Sequence, residues 1–292
     1  MIEDYKKAGR IAAQALDYGA RMIKPGASLL EVSDLVEKKI IDLGGEIAFP
    51  TQISLNQVAA HNCADPDDKT VFKEGDLVKI DVGAHVNGFV GDTARTVDLG
   101  NHKDIVKASE EALANAIKVL RPGITLREIG KEIQETIQKY SLSPVRNLCG
   151  HGLGKFNIHD KPSIPNYDNG DSTSLKEGQA IAIEPFATDG VGMIYESSPA
   201  NIFMLTNKKP VRNSITREIL KLIESYNGLP FTTRWLVRKY PVFKVKFALR
   251  DLLNNRIIRD YPPLPEKRGF VAQTEHTVII KDKPIITTML DN

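Results

Sequence analysis

Two aspartates in the first third of the chain stand where they could share a divalent cation. Asp81 and Asp92 flank Asn87-Gly88, which is a strong signal for a two-residue β-hairpin loop. Such a loop would place Asp92 across from Gly83 and diagonal to Asp81, with the backbones about 7–8 Å apart on one face of the sheet. Two carboxylates this close repel each other unless a cation lies between them or solvent covers that face.

Three further segments contain candidate metal ligands. His151 lies in the glycine-rich run CGHGLG (149–154), which predicts a turn where the backbone can approach a ligand. Glu184 and Glu275 each lie in an apolar strand pattern, with no alternating Lys or Arg to pair with them. Taken singly, the histidine could be a structural turn residue and each glutamate an ion-paired one. Together with the aspartates they form the oxygen-rich ligand set that two divalent ions about 3.5 Å apart require.

An internal repeat predicts the elements that position these side chains. Residues 24–32 (KPGASLLEV) match residues 121–129 (RPGITLREI), and each has a Pro-Gly turn followed by a capping box that opens a helix. Residues 73–81 (KEGDLVKID) match residues 176–184 (KEGQAIAIE), and each predicts a strand that ends in a carboxylate. A hairpin signal follows both strands, at Asn87-Gly88 and at Asp189-Gly190. With amphipathic helices near 3–22 and 102–120, the repeat predicts a pseudo-two-fold α+β fold in which helices back a curved, largely antiparallel sheet.

A basic helical segment interrupts this pattern late in the chain. Helical periods at roughly 214–227, 231–239 and 243–258 predict an inserted helical subdomain at 207–262, leaving 1–206 and 263–292 as the main domain. Tandem prolines after Tyr261 end the insert, and the β-rich run 270–280 returns to the sheet. Between Asn207 and Asp260 there are 13 Lys or Arg against 4 Asp or Glu. This basic surface is either a set of solvated helix faces or a region that attracts RNA or an acidic partner.

Composition excludes several classes of protein. The 292 residues are 41% hydrophobic with a net charge of +2, as in a soluble globular protein. Cys63 and Cys149 are too few for a disulfide framework and lack a zinc spacing. No apolar run approaches the roughly 18 residues of a membrane span, and the amino terminus does not resemble a signal peptide. We therefore expect a cytoplasmic protein that does not enter a membrane.

Five short runs resemble, in order, the metal-ligand motifs of the methionine aminopeptidases: IDVG (80–83), GDTA (91–94), GH (150–151), IEPF (183–186) and QTEH (273–276). The resemblance covers nearly the whole chain and implies the pita-bread fold, the pseudo-two-fold arrangement that the repeat predicts independently. The 91-residue separation of Glu184 from Glu275 and the run DYPPL (260–264) resemble the type 2 branch. The short leading segment resembles the archaeal members of that branch.

The resemblance also implies an activity and a site. It implies removal of the initiator methionine from nascent polypeptides when the next residue is small, by water activated at two divalent ions (Co, Mn, Fe or Zn). One ion would take Asp81 and Asp92 and the other His151 and Glu184, with Asp92 and Glu275 shared. His61 and His159 would contact the substrate near the scissile bond, and Glu275 would also carry a proton. The implied methionine pocket and substrate contacts comprise Phe49, His61, Ile158, His159, Phe186 and Tyr261.

Other functions fit parts of the sequence less well. The run GHGLGK (150–155) lacks the spacing of a phosphate-binding loop, and a Cys63 thiol nucleophile is unnecessary beside a complete ligand set. A pita-bread protein without catalysis could be a binding module for RNA or protein, but such a module should tolerate loss of a ligand, and all five are present. An X-Pro aminopeptidase or prolidase usually has an amino-terminal domain before the repeat. We expect a monomer that acts on nascent polypeptide amino termini and that the basic insert could bring near the ribosome.

Overall fold

The structure is a computed structural model that describes residues 1–197 and 199–290. Its helices are α1 Ile2–Met22, α2 Leu29–Asp42, α3 Lys103–Val119, α4 Leu126–Gln138, α5 Ser214–Glu224, α6 Thr233–Val237 and α7 Val242–Asn254. Its strands are β1 Glu46–Ile47, β2 Gln52–Leu55, β3 Leu77–Val86, β4 Phe89–Asp98, β5 Ser143–Pro144, β6 Cys149–Gly154, β7 Asn157–Pro165, β8 Ala180–Ile183, β9 Phe186–Thr188, β10 Ile202–Leu205, β11 Phe231–Thr232, β12 Ile258–Tyr261, β13 Val271–Gln273, β14 His276–Ile279 and β15 Ile285–Ile286. The predicted α+β class is confirmed. None of the described helices is long and apolar enough to span a membrane.

The two halves of the repeat begin with the same local structure. Gly26 and Gly123, in the two Pro-Gly turns, have φ of 87° each, a region that glycine adopts without steric cost. The Ser28 side chain then accepts a hydrogen bond from the backbone N–H of Glu31 at the start of α2. In the second half the Thr125 backbone N–H donates to Glu128 (2.9 Å) at the start of α4. The predicted helix starts are confirmed because each capping signal is local.

Helices α1 and α2 pack on the β3–β4 hairpin, and α3 and α4 pack on the strands of the second half. The hairpin register is the predicted one, since Gly83 pairs with Asp92 and Val86 with Phe89 around the Asn87-Gly88 loop. In the second half β8 is the third strand of the five-stranded sheet β15-β14-β8-β6-β7. The two largest hydrophobic clusters of the described residues therefore lie one in each half.

The second hairpin prediction is wrong. After Asp189-Gly190 the chain forms a loop instead of a returning strand, and β9 pairs with β5 and β13. The buried Glu266 carboxylate takes the hydrogen bonds that a partner strand would supply, because it accepts from the backbone N–H groups of Val191 (2.8 Å), Gly192 (3.1 Å) and Gly269 (2.7 Å). A buried acceptor at this position outcompetes the local hairpin signal.

The elements between 202 and 261 share a hydrophobic cluster of their own. It contains buried residues of α5, α6 and α7 together with Phe203, Phe231 and Ile258 from the sheet β11-β10-β12. Strand β10 pairs with β12, so the two ends of this segment lie side by side. The division at 207–262 stays a prediction.

Candidate metal centre

All five candidate ligands line one small cavity of about 60 Å³. Asp81 lies on β3, Asp92 on β4 and His151 on β6, while Glu184 directly follows β8 and Glu275 lies between β13 and β14. Nε2 of His151 is 3.7 Å from Oδ2 of Asp92 and 4.0 Å from Oε1 of Glu184. Asp92, His151 and Glu275 each offer a ligand atom within 4.8 Å of the other two.

His151 is held in a strand, so the predicted glycine-rich turn is wrong. Strand β6 lies between β7 and β8, and its glycines are needed because neighbouring carbonyl groups approach closely. A Cβ at Gly150 would lie 2.3 Å from the Ala182 oxygen, and one at Gly152 would lie 2.2 Å from the Lys161 oxygen. Nδ1 of His151 lies 3.2 Å from the Gly152 oxygen, which as acceptor directs Nε2 toward the carboxylates.

Hydrogen bonds across the two halves hold the acidic residues in place. Thr277 Oγ1 accepts from the Asp92 backbone N–H (2.8 Å) and donates to the Asp92 backbone oxygen (2.9 Å). Thr93 Oγ1 donates to the Glu275 backbone oxygen (2.8 Å). The Gln273 side-chain amide donates to Oε2 of Glu184 (3.1 Å). Gln273 was not predicted, although its position two residues before Glu275 is a signal that it could face the same cavity.

Burial and like charges act on the carboxylates together. Burial raises the pKa of Asp81 to about 7, and burial with the Asp81 and Glu184 charges raises the pKa of Asp92 well above its ordinary value. Burial and neighbouring carboxylates likewise raise the pKa of Glu184 and Glu275. Oδ1 of Asp81, Oδ1 of Asp92 and Oε2 of Glu275 are buried without a hydrogen-bond partner among the described residues. Buried oxygens of this kind fit divalent cations, which would satisfy them and neutralise their charge.

Two further histidines border the cavity as neutral imidazoles. Burial and the nearby His159 lower the pKa of His61 to about 4, and burial and Arg259 lower the pKa of His159 to about 4. His61 has φ of 63°, a left-handed conformation that is unfavourable for this residue type. Its backbone N–H donates to Oε1 of Gln52 (2.7 Å), which helps to hold this conformation. The buried Nδ1 of His61 has no hydrogen-bond partner among the described residues.

The apolar wall agrees with the predicted pocket except at one residue. Phe49, Ile158 and Tyr261 line the cavity beside the metal ligands. The described residues that line it do not include Phe186, whose ring packs behind the wall in a cluster with Ala59, Ala60, Val145, Leu264 and Val271. Pairing of Phe186 with Gln273 between β9 and β13 fixes it there. The cavity also contains Pro50, Gln52, Ala60, Ile202 and Pro230, which sequence analysis missed and which no local pattern marks.

Cys63, His85 and His276, which were not predicted as metal ligands, lie outside the ligand cluster. Cys63 is buried, and burial raises the pKa of its thiol to about 11, which is unsuited to a thiolate nucleophile. His85 lines a different cavity and lies beside Phe156. His276 bonds Thr288 (2.9 Å) rather than a carboxylate of the cavity.

This chain is similar to known proteins over nearly its whole length. Residues 3–282 match the sequence profile of metallopeptidase family M24. A methionine aminopeptidase of Thermococcus onnurineus is 48% identical over 287 residues, covering 97% of both chains. The crystal structure of a methionine aminopeptidase from Thermotoga maritima superimposes with a TM-score of 0.73 at 27% identity, covering 99% of this chain and 96% of that one. A thermophilic Arx1 has a TM-score of 0.87 at 16% identity, covering 99% and 91%, and this likeness shows the fold alone.

Proposed function

This chain belongs to metallopeptidase family M24, and on that basis we propose that it is an aminopeptidase that removes methionine from the amino terminus of polypeptides. Its substrates are nascent chains whose second residue is small. The observation that supports this most directly is a complete set of four carboxylates and one imidazole, which converges on a small cavity with apolar walls. These five side chains are sufficient to bind the two divalent ions that the hydrolysis would require.

The five ligands would hold two divalent ions. Asp81, Asp92, His151, Glu184 and Glu275 supply mostly oxygen atoms with one nitrogen, a set that suits Co, Mn, Fe or Zn. Bound ions would lower the pKa of water toward neutrality and polarise the scissile carbonyl group.

The residues of the chain supply orientation and proton transfer. Glu275 is buried at the ligand cluster, so its carboxylate can take a proton and return it to the leaving amine. The lowered pKa values of His61 and His159, about 4 each, leave both imidazoles neutral at pH 7, so each ring can form a hydrogen bond with the substrate amide without adding a positive charge. The ring of Tyr261 lies 5.4 Å from that of His61 and 5.8 Å from that of His159, which restricts both imidazoles.

Phe49, Ile158 and Tyr261 would enclose the methionine side chain. All three are buried and apolar at the point where they border the cavity, so a flexible, unbranched side chain fits between them. Larger or branched first residues would be excluded sterically, and a bulky second residue would collide near the histidines.

The proposal also includes the type 2 assignment, the domain division, the cellular location and the oligomeric state. The helical cluster of 202–261 lies between Glu184 and Glu275, where a type 2 enzyme carries its insert, and supports an inserted subdomain at 207–262. We further propose that the protein is a cytoplasmic monomer of the archaeal kind.

The basic insert could also bring the enzyme to the ribosome. On α7 the rings of Phe243 and Phe247 are 69% and 48% exposed, four residues apart, with Lys244, Lys246 and Arg250 on the same helix. Exposed rings with basic side chains suit a polyanion such as ribosomal RNA. Cosedimentation with ribosomes should weaken as salt is added. It should also weaken in a double variant, Lys244→Glu with Lys246→Glu. The control variant Lys131→Glu, on α4, should cosediment as the wild type does. Salt-independent or absent cosedimentation would refute this role.

The central experiment is hydrolysis of Met-Ala-Ser and Leu-Ala-Ser by metal-stripped protein after separate addition of Mn, Co, Fe or Zn. We expect metal-dependent release of methionine in large excess over leucine, with a loss of at least about 100-fold in kcat for Glu275→Ala. Lys131→Ala, on the surface of α4, is the matched control and should retain full activity. Absence of cleavage with every metal would refute the proposal and favour a binding module.

A further inference from the structure

A single buried carboxylate joins the two sides of the cavity. Glu37, on α2, is 3% exposed and accepts four hydrogen bonds. Its Oε1 accepts from the Thr51 backbone N–H (3.2 Å) and from Nη2 of Arg234 (2.5 Å). Its Oε2 accepts from Nη1 of Arg234 (3.0 Å) and from the indole N–H of Trp235 (2.9 Å).

One side of this junction leads to the cavity wall formed by residues 49–52. Thr51 lies between Pro50 and Gln52, which both line the cavity with Phe49. Gln52 pairs with Asp81 across β2 and β3 and also holds His61 through the backbone N–H of that residue. Movement at Thr51 would therefore be transmitted to the pocket and to His61.

The other side leads to the wall contributed by β10–β12. Arg234 is 2% exposed and lies at the start of α6, just after Pro230 and Thr232. Pro230 lines the cavity, and Thr232 pairs with Ile202, which also lines it. Ile202 pairs in turn with Tyr261. The guanidinium group is therefore fixed to the backbone that carries Pro230, Ile202 and Tyr261.

We propose that the Glu37–Arg234 pair is a positioning pair that sets the width of the methionine pocket and thereby the selectivity for methionine over branched side chains. This inference rests on the proposed function. Neither residue lines the cavity; both act through the two walls that they hold at a fixed separation.

The chemistry of the pair favours a geometric role over a purely stabilising one. A buried ion pair contributes little net stability compared with apolar residues of similar volume, because both charges must be desolvated. A guanidinium group that bonds both oxygens of a carboxylate fixes distance and angle together. Burial opposes the charge on Arg234, but its hydrogen bonds and attraction to Glu37 outweigh that effect and raise its pKa above the ordinary value. The guanidinium group of Arg234 therefore stays charged over the working pH range.

The test compares kcat and KM for Met-Ala-Ser and Leu-Ala-Ser in Arg234→Lys and Trp235→Phe variants. Lysine keeps the charge but cannot bond both oxygens, and phenylalanine keeps the ring but removes one hydrogen bond. We expect Arg234→Lys to raise KM for the methionine peptide and to lower the methionine-to-leucine ratio of kcat/KM, each about tenfold, with kcat changed less than about threefold. Trp235→Phe should also raise KM for the methionine peptide and lower the methionine-to-leucine ratio of kcat/KM, each by less than in Arg234→Lys.

Arg127→Gln is the matched control, because Arg127 bonds Asp168 (3.0 Å) in a surface ion pair that includes neither Glu37 nor Arg234, and its side chain is 51% exposed. It should leave the ratio unchanged. Folded variants at positions 234 and 235 with lowered melting temperatures but an unchanged ratio would overturn the inference. If Arg234→Lys does not fold, the Trp235→Phe ratio decides. A wild-type protein that releases no methionine with any metal would refute the function itself, so the two failures are distinct.

Discussion

At the ligand cluster, protons and cations compete for the same buried oxygens. The raised pKa of Asp81, about 7, and the raised pKa values of Asp92, Glu184 and Glu275 follow from burial and mutual repulsion. Each cation that binds must displace protons that these residues hold at lower pH. The same arrangement that prepares the cluster for metal therefore makes it sensitive to acid.

Metal affinity should rise with pH across the range in which these carboxylates lose protons. We expect the dissociation constant for Mn or Co to increase at least about tenfold from pH 7.5 to pH 6, since the pKa of Asp81 lies between them. Calorimetric titration in two buffers of different ionisation enthalpy would measure both the affinity and the protons released. An affinity that does not change with pH, with no proton release, would contradict the prediction. Asp81→Asn, which cannot bind that proton, should release fewer protons.

At the scale of elements, close backbone approaches decide where the ligand strands lie. Helix α1 crosses β4 with almost no space between them, because a Cβ at Gly91 would lie 2.5 Å from the Gly9 backbone. Gly91 directly precedes Asp92, so this contact helps to set the depth of a proposed metal ligand. Capping signals predicted the starts of α2 and α4, and the Asn87-Gly88 signal predicted the β3–β4 hairpin, but these signals contain no information about this distance.

Gly91→Ala should therefore weaken both the fold and the site. We expect a loss of about 1–3 kcal/mol in the free energy of unfolding, because α1 must move away from β4. Urea denaturation measures the loss, and metal titration of the folded variant should show lower affinity. Arg95→Ala, on the same strand and 45% exposed at the side chain, is the control and should change the free energy of unfolding by no more than about 1 kcal/mol. A Gly91→Ala protein as stable as the wild type would show that α1 can adjust without cost.

At the scale of the whole molecule, the ligands come from both halves of the repeat. Asp81 and Asp92 belong to the first half, and His151, Glu184 and Glu275 to the second or to the returning chain. Contacts between the halves, such as that of Thr93 with Glu275, already tie them together. A bound cation would add a direct connection between the halves that the unfolded chain lacks.

Metal should accordingly stabilise the native state. At a free concentration 100 times the dissociation constant, the free energy of unfolding should rise by about 2.7 kcal/mol per site. At a fixed free metal concentration, the increase should be larger at pH 8 than at pH 6, because protons compete with the metal for the carboxylates. The raised pKa of Asp81 stabilises the metal-free fold at low pH, and this contribution is lost as pH rises through about 7. Thermal unfolding with Mn or with EDTA would measure both effects. An Asp81→Asn, Glu275→Gln variant is the control and should show little shift.

The sequence by itself determined the elements and the set of chemically competent residues. Capping boxes, Gly turns and the Asn87-Gly88 loop act between near neighbours, so they predicted the helix starts and the exact β3–β4 register. Four of the five proposed ligands were recognisable because carboxylates that share a sheet face, as Asp81 and Asp92 do, or lie in apolar strands, as Glu184 and Glu275 do, need a compensating charge. His151 was singled out by its glycine-rich run. The resemblance to a known family then supplied the roles.

Only the tertiary structure decided how the cavity is shaped and what holds it. Strand β6 in place of a turn, the loop bound to Glu266 and the displaced Phe186 ring all depend on partners far along the chain. The walls at Pro230 and Ile202 and the Glu37–Arg234 pair likewise join residues widely separated in sequence. Such contacts arise from packing and from the need to satisfy every buried polar group, and no local pattern can specify which distant residue will do so.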